Sequence, residues 1–394
     1  MSDVWLHSIR EHMDQLTSAG LRRELRTIED ASRPILMHQG RPQLNLSSNN
    51  YLGLAGHPAI MEAERAAAKR GAGATASRLI VGSDLAHDDL ERSIARFKGA
   101  ESALVMANGY MANVGILPAL LGRHDAAFSD RYNHASIVDG IRLSGANHFR
   151  YRHGDMDHLE SLLRQADRKG VKRKLIVTDT VFSMDGDIAP LRDIVSLKEK
   201  YGAALMVDEA HGSGVYGPHG QGIAHHLGLE GGVDLHMGTF SKAFGVYGAY
   251  VTGSREWIRY LIQTCRSFIF STALPPAVIG GIRQALELVE HRDDLRKDVL
   301  AKSARFRAGL CAYGFDTGGS ETPIVPLLVG DEQRTLAFSR MLSESGIMAV
   351  AIRPPTVPGG TSRIRFTVTA AHEDADLERA LPAIADIGKQ LEVI

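Results

Sequence analysis

An aspartate, a histidine and a lysine share one glycine-rich stretch, Leu205 to Gly245, and their types suit acid–base chemistry on a bound aromatic cofactor. A short apolar run, Ala203 to Val207, stops at Asp208 and is followed at once by Glu-Ala-His-Gly. Such a run reads as a buried parallel strand whose carboxyl end delivers Asp208 into the crevice where open α/β sheets bind ligands. His211 lies three residues on. Lys242 follows in Gly-Thr-Phe-Ser-Lys-Ala-Phe-Gly, where Thr239 and Ser241 can donate to an anion and Gly245 permits a close backbone turn. Pyridoxal 5'-phosphate needs an acid to keep its pyridine nitrogen protonated, a donor to its ring oxygen and an amine to hold it as a Schiff base. Asp208, His211 and Lys242 can fill those roles. The plainer alternatives are a turn aspartate and a solvated loop lysine; the uncharged, glycine-rich settings of both residues favour the cofactor.

The elements that must position these groups repeat one pattern. Ala103 to Met106 reads as a strand, and Ala-Asn-Gly-Tyr-Met-Ala-Asn then opens a helix. Free N–H groups at such a start bind phosphate, which singles out Gly109 and Tyr110, with Asn108 as the cap. A second strand end, Ala127 to Asp130, leads to His134, either a structural hydrogen bonder or a ring that stacks on a flat cofactor. Lys174 to Asp179 is a further buried strand, running into a segment where Ser183 precedes an Asp-Gly turn, and a helix from Leu191 to Tyr201 returns the chain to the Asp208 strand. Ala249 to Val251 continues the sheet. The order strand, turn, helix, strand predicts an α/β fold with a mostly parallel, doubly wound sheet.

Beyond residue 290 the pattern changes to helix 292–313, strand 323–329, helix 332–345, strands 347–352 and 362–369, and helix 374–391, a smaller α+β domain. The expected division is an N-terminal helical arm (1–45), a large domain (46–285) and a small C-terminal domain (286–394). Arg363 and Arg365 share one strand face, as a carboxylate receptor or as an ordinary surface strand. In the arm, Trp5, Ile9, Met13 and Leu16, then Leu21 and Leu25, predict two amphipathic helices packed on the body and broken at Gly20. Arg22 and Arg23 form a polar helix face or a ligand contact. Asn49 and Asn50 sit in a turn, where they satisfy their own backbone or orient a carboxylate. Gly71-Ala-Gly-Ala-Thr-Ala formally matches the dinucleotide fingerprint, but it follows a helical pattern instead of a strand, so 71–83 reads as a loop.

With 45 basic and 46 acidic residues among 394, no overall field recruits nucleic acid or membrane. Cys265 and Cys311 make neither a disulfide framework nor a metal site. The N-terminus carries acids where a signal peptide would be basic, and no apolar run reaches membrane-span length. A soluble, cytoplasmic protein is expected.

The motifs VDEAHGSGVYGPHGQG, GTFSKAFG, FSMDGD, SSNNYLGL and SRIRFTVTAAH together resemble, over nearly the full length, the α-oxoamine synthase family of fold-type-I pyridoxal-phosphate enzymes. IRPPTVP followed by GTSRIRFTVTAAHE looks most like the branch serving biotin synthesis. The resemblance implies a large domain of the aspartate aminotransferase type that holds the cofactor. It makes Lys242 the covalent anchor, puts Asp208 at the pyridine nitrogen, stacks His134 on the ring and sets Ser183 and His211 near the ring oxygen. Gly109, Tyr110 and Thr239 would surround the phosphate. Arg22, Asn50, His134, Arg353, Thr356 and Arg365 would meet substrate. It further implies decarboxylative condensation of L-alanine with a pimeloyl thioester carried on coenzyme A or an acyl carrier protein. A homodimer is implied, in which Ser271 and Thr272 reach a neighbouring cofactor phosphate. Two departures stand out: Asp179 where many members have Glu, and Ala74, Thr75 and Ala76 where they have more glycine.

Overall fold

The computed structural model describes residues 2–18 and 20–394. Its centre is a seven-stranded sheet made of β1 (Ser102–Met106), β2 (Ala126–Asp130), β3 (Asn147–Tyr151), β4 (Lys174–Asp179), β5 (Ala204–Asp208), β6 (Leu235–Thr239) and β7 (Ala249–Gly253). They lie in the order β1-β7-β6-β5-β4-β2-β3. Only β7 runs against its neighbours. Alternation along β5 shows why both faces are covered: Leu205 and Val207 enter one core while Met206 enters the other. Helices Leu85–Phe97, Met156–Arg168 and Pro276–His291 pack on the first face, and helices Gly109–Leu120, Ala135–Ser144 and Arg255–Thr264 on the second. The doubly wound, mostly parallel α/β sheet expected from the sequence is the observed one.

The C-terminal part carries a three-stranded antiparallel sheet with β10 (Ser362–Thr367) between β8 (Ile324–Gly330) and β9 (Val350–Ile352), covered by helices Asp293–Ala312, Glu332–Glu344 and Asp374–Gln390. The single strand expected over 347–352 is divided: Ile347–Met348 joins the N-terminal strand Arg41–Asn45 in parallel, and only Val350–Ile352 joins β10. The N-terminal strands are thereby tied to the C-terminal sheet.

The arm departs from expectation. It holds one helix, Ser2–Ser18, and residues 21–27 have no regular structure. Gly20 takes a positive φ of 65° that ends the helix, and the seven residues beyond it are too few to stand as a second one. The helix lies out in solvent, with Trp5 76 % exposed, instead of packing on the body. The 71–83 loop also contains a short π-helical turn at Arg78–Gly82.

Candidate active site

Asp208 ends β5 and is register partner to Asp179, the last residue of β4. Both are buried, 3 % and 4 % exposed. Asp208 accepts from the Ala210 N–H through Oδ1 and from the Asn113 amide through Oδ2, each at 2.9 Å. Asp179 Oδ2 accepts from the His134 backbone N–H at 2.7 Å. Burial, and then the charge on Asp208, pushes the Asp179 pKa well above the carboxylate range. Of the two carboxyls of the ledge, Asp179 is the one whose protonated form burial favours.

Lys242 is brought to this ledge by the loop after β6. Phe240, Ala243 and Phe244 anchor the loop in the core, and Gly245 turns it with φ 72° at a point where any Cβ would strike the backbone of Ala55. Lys242 Nζ lies 2.8 Å from His211 Nε2, and His211 Nδ1 lies 2.6 Å from the Tyr51 hydroxyl. Burial lowers the Lys242 pKa to about 8, opposed by Asp208 and Asp179 and assisted by Arg365. Burial likewise drives His211 well below its ordinary value and raises Tyr51 to about 12. His211, expected at a ring oxygen, is here the partner of the amine. Tyr51 stands within SSNNYLGL, where aromatic character alone gave no signal for a role.

His134 follows β2 and caps helix Ala135–Ser144. Its Nδ1 is 2.7 Å from Ser136 Oγ, and burial lowers its pKa against the pull of Asp208. The start of helix Gly109–Leu120 faces the end of β6: a Cβ built on Gly109 would lie 3.8 Å from Thr239 Cβ. Asn108 caps that helix through the Met111 N–H, so the first-turn amides of Gly109 and Tyr110 are left as donors for an anion. Thr239 Oγ1 donates to Gly248 O at 2.8 Å and accepts from the Ser241 N–H at 3.1 Å, which folds the Lys242 loop around the same point. The set fits pyridoxal phosphate: an anion cradle, a buried carboxylate and a lysine of reduced basicity converge at the carboxyl edge of one sheet.

Arg363 and Arg365 extend the site from β10, and both are buried, which removes the surface-strand alternative. Their partners differ. Arg363 forms an ion pair with Asp185. Arg365, 8 % exposed, donates to Ser183 O, to Thr367 Oγ1 at 2.9 Å and to Asn49 Oδ1 at 3.1 Å, all neutral acceptors. Ser183 thus meets Arg365 through its carbonyl. The Asn50 amide is occupied by Ser32 O and the Ala55 N–H, so Asn49, and not Asn50, is the asparagine at Arg365. Arg22, Arg353 and Thr356 form a rim of their own: Arg353 donates to Arg22 O at 3.0 Å, Thr356 N bonds Arg353 O, and the Arg22 guanidinium pairs with Glu24. Ser271 and Thr272 stand apart, with Thr272 in an isolated bridge to Ser77. Among the described residues no side-chain hydrogen bond joins either to Lys242, Asp208 or His134. No cluster able to hold a metal occurs among the described residues.

The profile of the aminotransferase class I and II family matches residues 41–384. A Bacillus cereus (strain B4264) protein named "Putative 8-amino-7-oxononanoate synthase" is 52% identical over 395 residues, covering 100% of both chains. A Bacillus mycoides (strain KBAB4) protein of the same name is 53% identical over 392 residues, 99% of both. Among solved structures, serine palmitoyltransferase from S. paucimobilis with a bound PLP–myriocin aldimine superposes with a TM-score of 0.92 at 29% identity, over 98% of both chains. The 8-amino-7-oxononanoate synthase from Francisella tularensis gives 0.77 at 27% identity, over 89% of this chain and 99% of that one.

Proposed function

The chain belongs to the class I and II aminotransferase family, in its α-oxoamine synthase branch of pyridoxal-phosphate-dependent acyltransferases, and from that premise we propose the reaction it performs. L-alanine and a pimeloyl thioester condense with loss of carbon dioxide, giving 8-amino-7-oxononanoate and the free thiol carrier, a step of biotin synthesis. The observation that carries the substrate side is Arg365, a buried guanidinium whose partners are all neutral and which is therefore open to a carboxylate.

When bound, pyridoxal phosphate supplies the electron sink for the pair left at the amino-acid Cα. Asp208 would keep a proton on the ring nitrogen, and Asn113 and the Ala210 N–H hold that carboxylate in place. The Gly109 and Tyr110 amides would hold the phosphate, with Thr239 joining them by turning its hydroxyl from Gly248 O. Arg365 fixes the amino-acid carboxylate and with it the orientation of the bonds at Cα. The Lys242 amine, with its pKa near 8, takes the Cα proton in its neutral form and later returns one. His211 and Tyr51 orient that amine. His134 donates to the thioester carbonyl as charge develops on oxygen.

The reading includes a homodimer with shared sites, supported by the exposed apolar side chains of Leu79, Ile80, Val81 and Phe270. Ser271 and Thr272, beside Phe270, would reach the phosphate of the second copy. The proposed compartment is the cytoplasm; among the described residues no helix is long and apolar enough to cross a membrane.

The test is carbon dioxide release from alanine, glycine and serine with acetyl, succinyl, pimeloyl and palmitoyl thioesters, each on coenzyme A and on a carrier protein. Alanine with pimeloyl should turn over fastest. The 0.92 TM-score to serine palmitoyltransferase favours a second reading, a synthase of this branch with another amino acid and acyl chain, and serine with palmitoyl outpacing alanine with pimeloyl would establish it.

A further inference from the structure

We infer that Asn113 and Ser136 act as positioning residues that hold His134 as a neutral imidazole with its proton on Nε2, so that the ring meets the thioester carbonyl as a hydrogen-bond donor. The identity of that acceptor rests on the function proposed above; the tautomer follows from the chain alone. Asn113 is wholly buried on helix Gly109–Leu120, one turn past the phosphate cradle. One of its amide atoms lies 2.9 Å from both Asp208 Oδ2 and Ser136 Oγ. An ionised carboxylate only accepts, so the atom facing it is nitrogen, and both of its N–H groups are committed. Ser136 Oγ therefore accepts from Asn113, and its own O–H lies along the 2.7 Å contact to His134 Nδ1. The Ser136 backbone N–H also donates to Nδ1, at 3.3 Å.

Two donors converge on Nδ1. It is consequently an acceptor, and the single proton of the neutral ring sits on Nε2. Placing a proton on Nδ1 would set N–H against N–H and force the serine hydroxyl to turn away. Burial also disfavours the charged ring, against Asp208 and Asp139 and together with Lys242, the charged groups that bear on it. The Asn113 Oδ1 has no partner, a cost an apolar side chain would avoid, so the amide is held for its two donors. One amide thereby couples the acid at the cofactor nitrogen to the donor at the acyl group.

Long-range ¹H–¹⁵N spectra of the cofactor-loaded protein, labelled in histidine and assigned by the signals lost in His134→Asn, report the ring directly. Nε2 should carry the proton and Nδ1 none across the neutral range. Ser136→Ala should yield mixed tautomers, raise the ring pKa and lower kcat by about tenfold, the weight of one hydrogen bond, with KM for the amino acid unchanged. Ser136→Thr, which restores a hydroxyl, should restore the Nε2–H form. A proton on Nδ1 in the wild-type protein, or an unchanged tautomer in Ser136→Ala, overturns the inference, and the wild-type spectrum decides even where a variant does not fold. An Nε2–H ring in a protein that condenses no thioester supports the tautomer and removes the functional reading instead.

Discussion

Asp179 and Asp208 are register partners at the carboxyl ends of adjacent parallel strands, and both are buried. Burial, and then the charge on the neighbouring Asp208, raises the Asp179 pKa well above the carboxylate range. A carboxyl with a raised folded pKa binds more protons in the folded chain than in the unfolded one. Its contribution to stability is present below the ordinary carboxylate range and is lost as pH rises through the raised value. Asp179→Asn should therefore flatten the fall of Tm with rising pH. Asp208→Asn should lower kcat by about 100-fold or more, a far larger loss than Asp179→Asn. Equal losses for the two variants would refute this division of roles.

Lys242 is the reverse case, an amine whose pKa burial has brought down to about 8. The neutral amine is the nucleophile, so the rate of pyridoxal-phosphate uptake by the cofactor-free protein, followed by absorbance, should rise with pH and level off above about 8. Borohydride should then fix the cofactor to Lys242, mapped by peptide mass, and Lys242→Ala should show neither. Covalent label on another lysine would remove the proposed role. The folded-state pKa lies below the unfolded one, so this group's contribution to stability is full above the unfolded lysine value and is lost as pH falls through about 8.

The strand ends and the loop that carry the acid, the histidine and the lysine were legible because apolar runs ending in polar residues mark the carboxyl edge of a parallel sheet. Partners set by tertiary contact were not legible. Nothing local to Asn113, midway along an apolar helix, says that its amide will meet Asp208, 95 residues on. Tyr51 and Asn49 lie in SSNNYLGL, yet only the approach of β10 shows that Asn49 meets Arg365 while the neighbouring Asn50 closes its own turn. Strands β3 and β6 lack the apolar run that marks the others, because Asn147–Tyr151 is an edge strand, with Asn147 and Arg150 exposed, and Leu235–Thr239 mixes His and Gly into its run. The arm misled because apolar spacing cannot distinguish a face that meets this chain's own body from one that does not.

The two arginines of β10 should separate binding from stability. Arg365→Lys keeps the charge but loses the fork, and Arg365→Ala removes both. KM for the amino acid should rise by about 10- to 100-fold in the alanine variant, with a smaller rise for lysine. Arg363→Met leaves Asp185 unpaired and should lower stability by about 1–2 kcal/mol while changing KM little. Thermal unfolding and amino-acid saturation curves on the three variants are sufficient, and a KM effect larger for Arg363 than for Arg365 would reverse the assignment.

His153 binds the FSMDGD segment to the sheet beneath it. Its Nδ1 lies 3.0 Å from Asp130, the last residue of β2, and its Nε2 lies 2.9 Å from Asp187, with the ring stacked on Tyr132 at 4.4 Å. Burial pushes its pKa down, but the hydrogen bonds to both carboxylates outweigh that and carry it to about 10. The folded value lies above the unfolded one, so the stability it adds is fully present below the ordinary histidine range and disappears as pH rises through about 10. His153→Gln keeps a donor but not the charge. At neutral pH it should cost about 2 kcal/mol, and the cost should shrink as the pH approaches 10. Chemical denaturation at neutral and alkaline pH checks the slope. A loss that stays constant with pH would mean that His153 packs without being charged. Ser183 and Asp185, which receive Arg365 and Arg363, lie in the same segment, so loosening it should also raise KM for the amino acid.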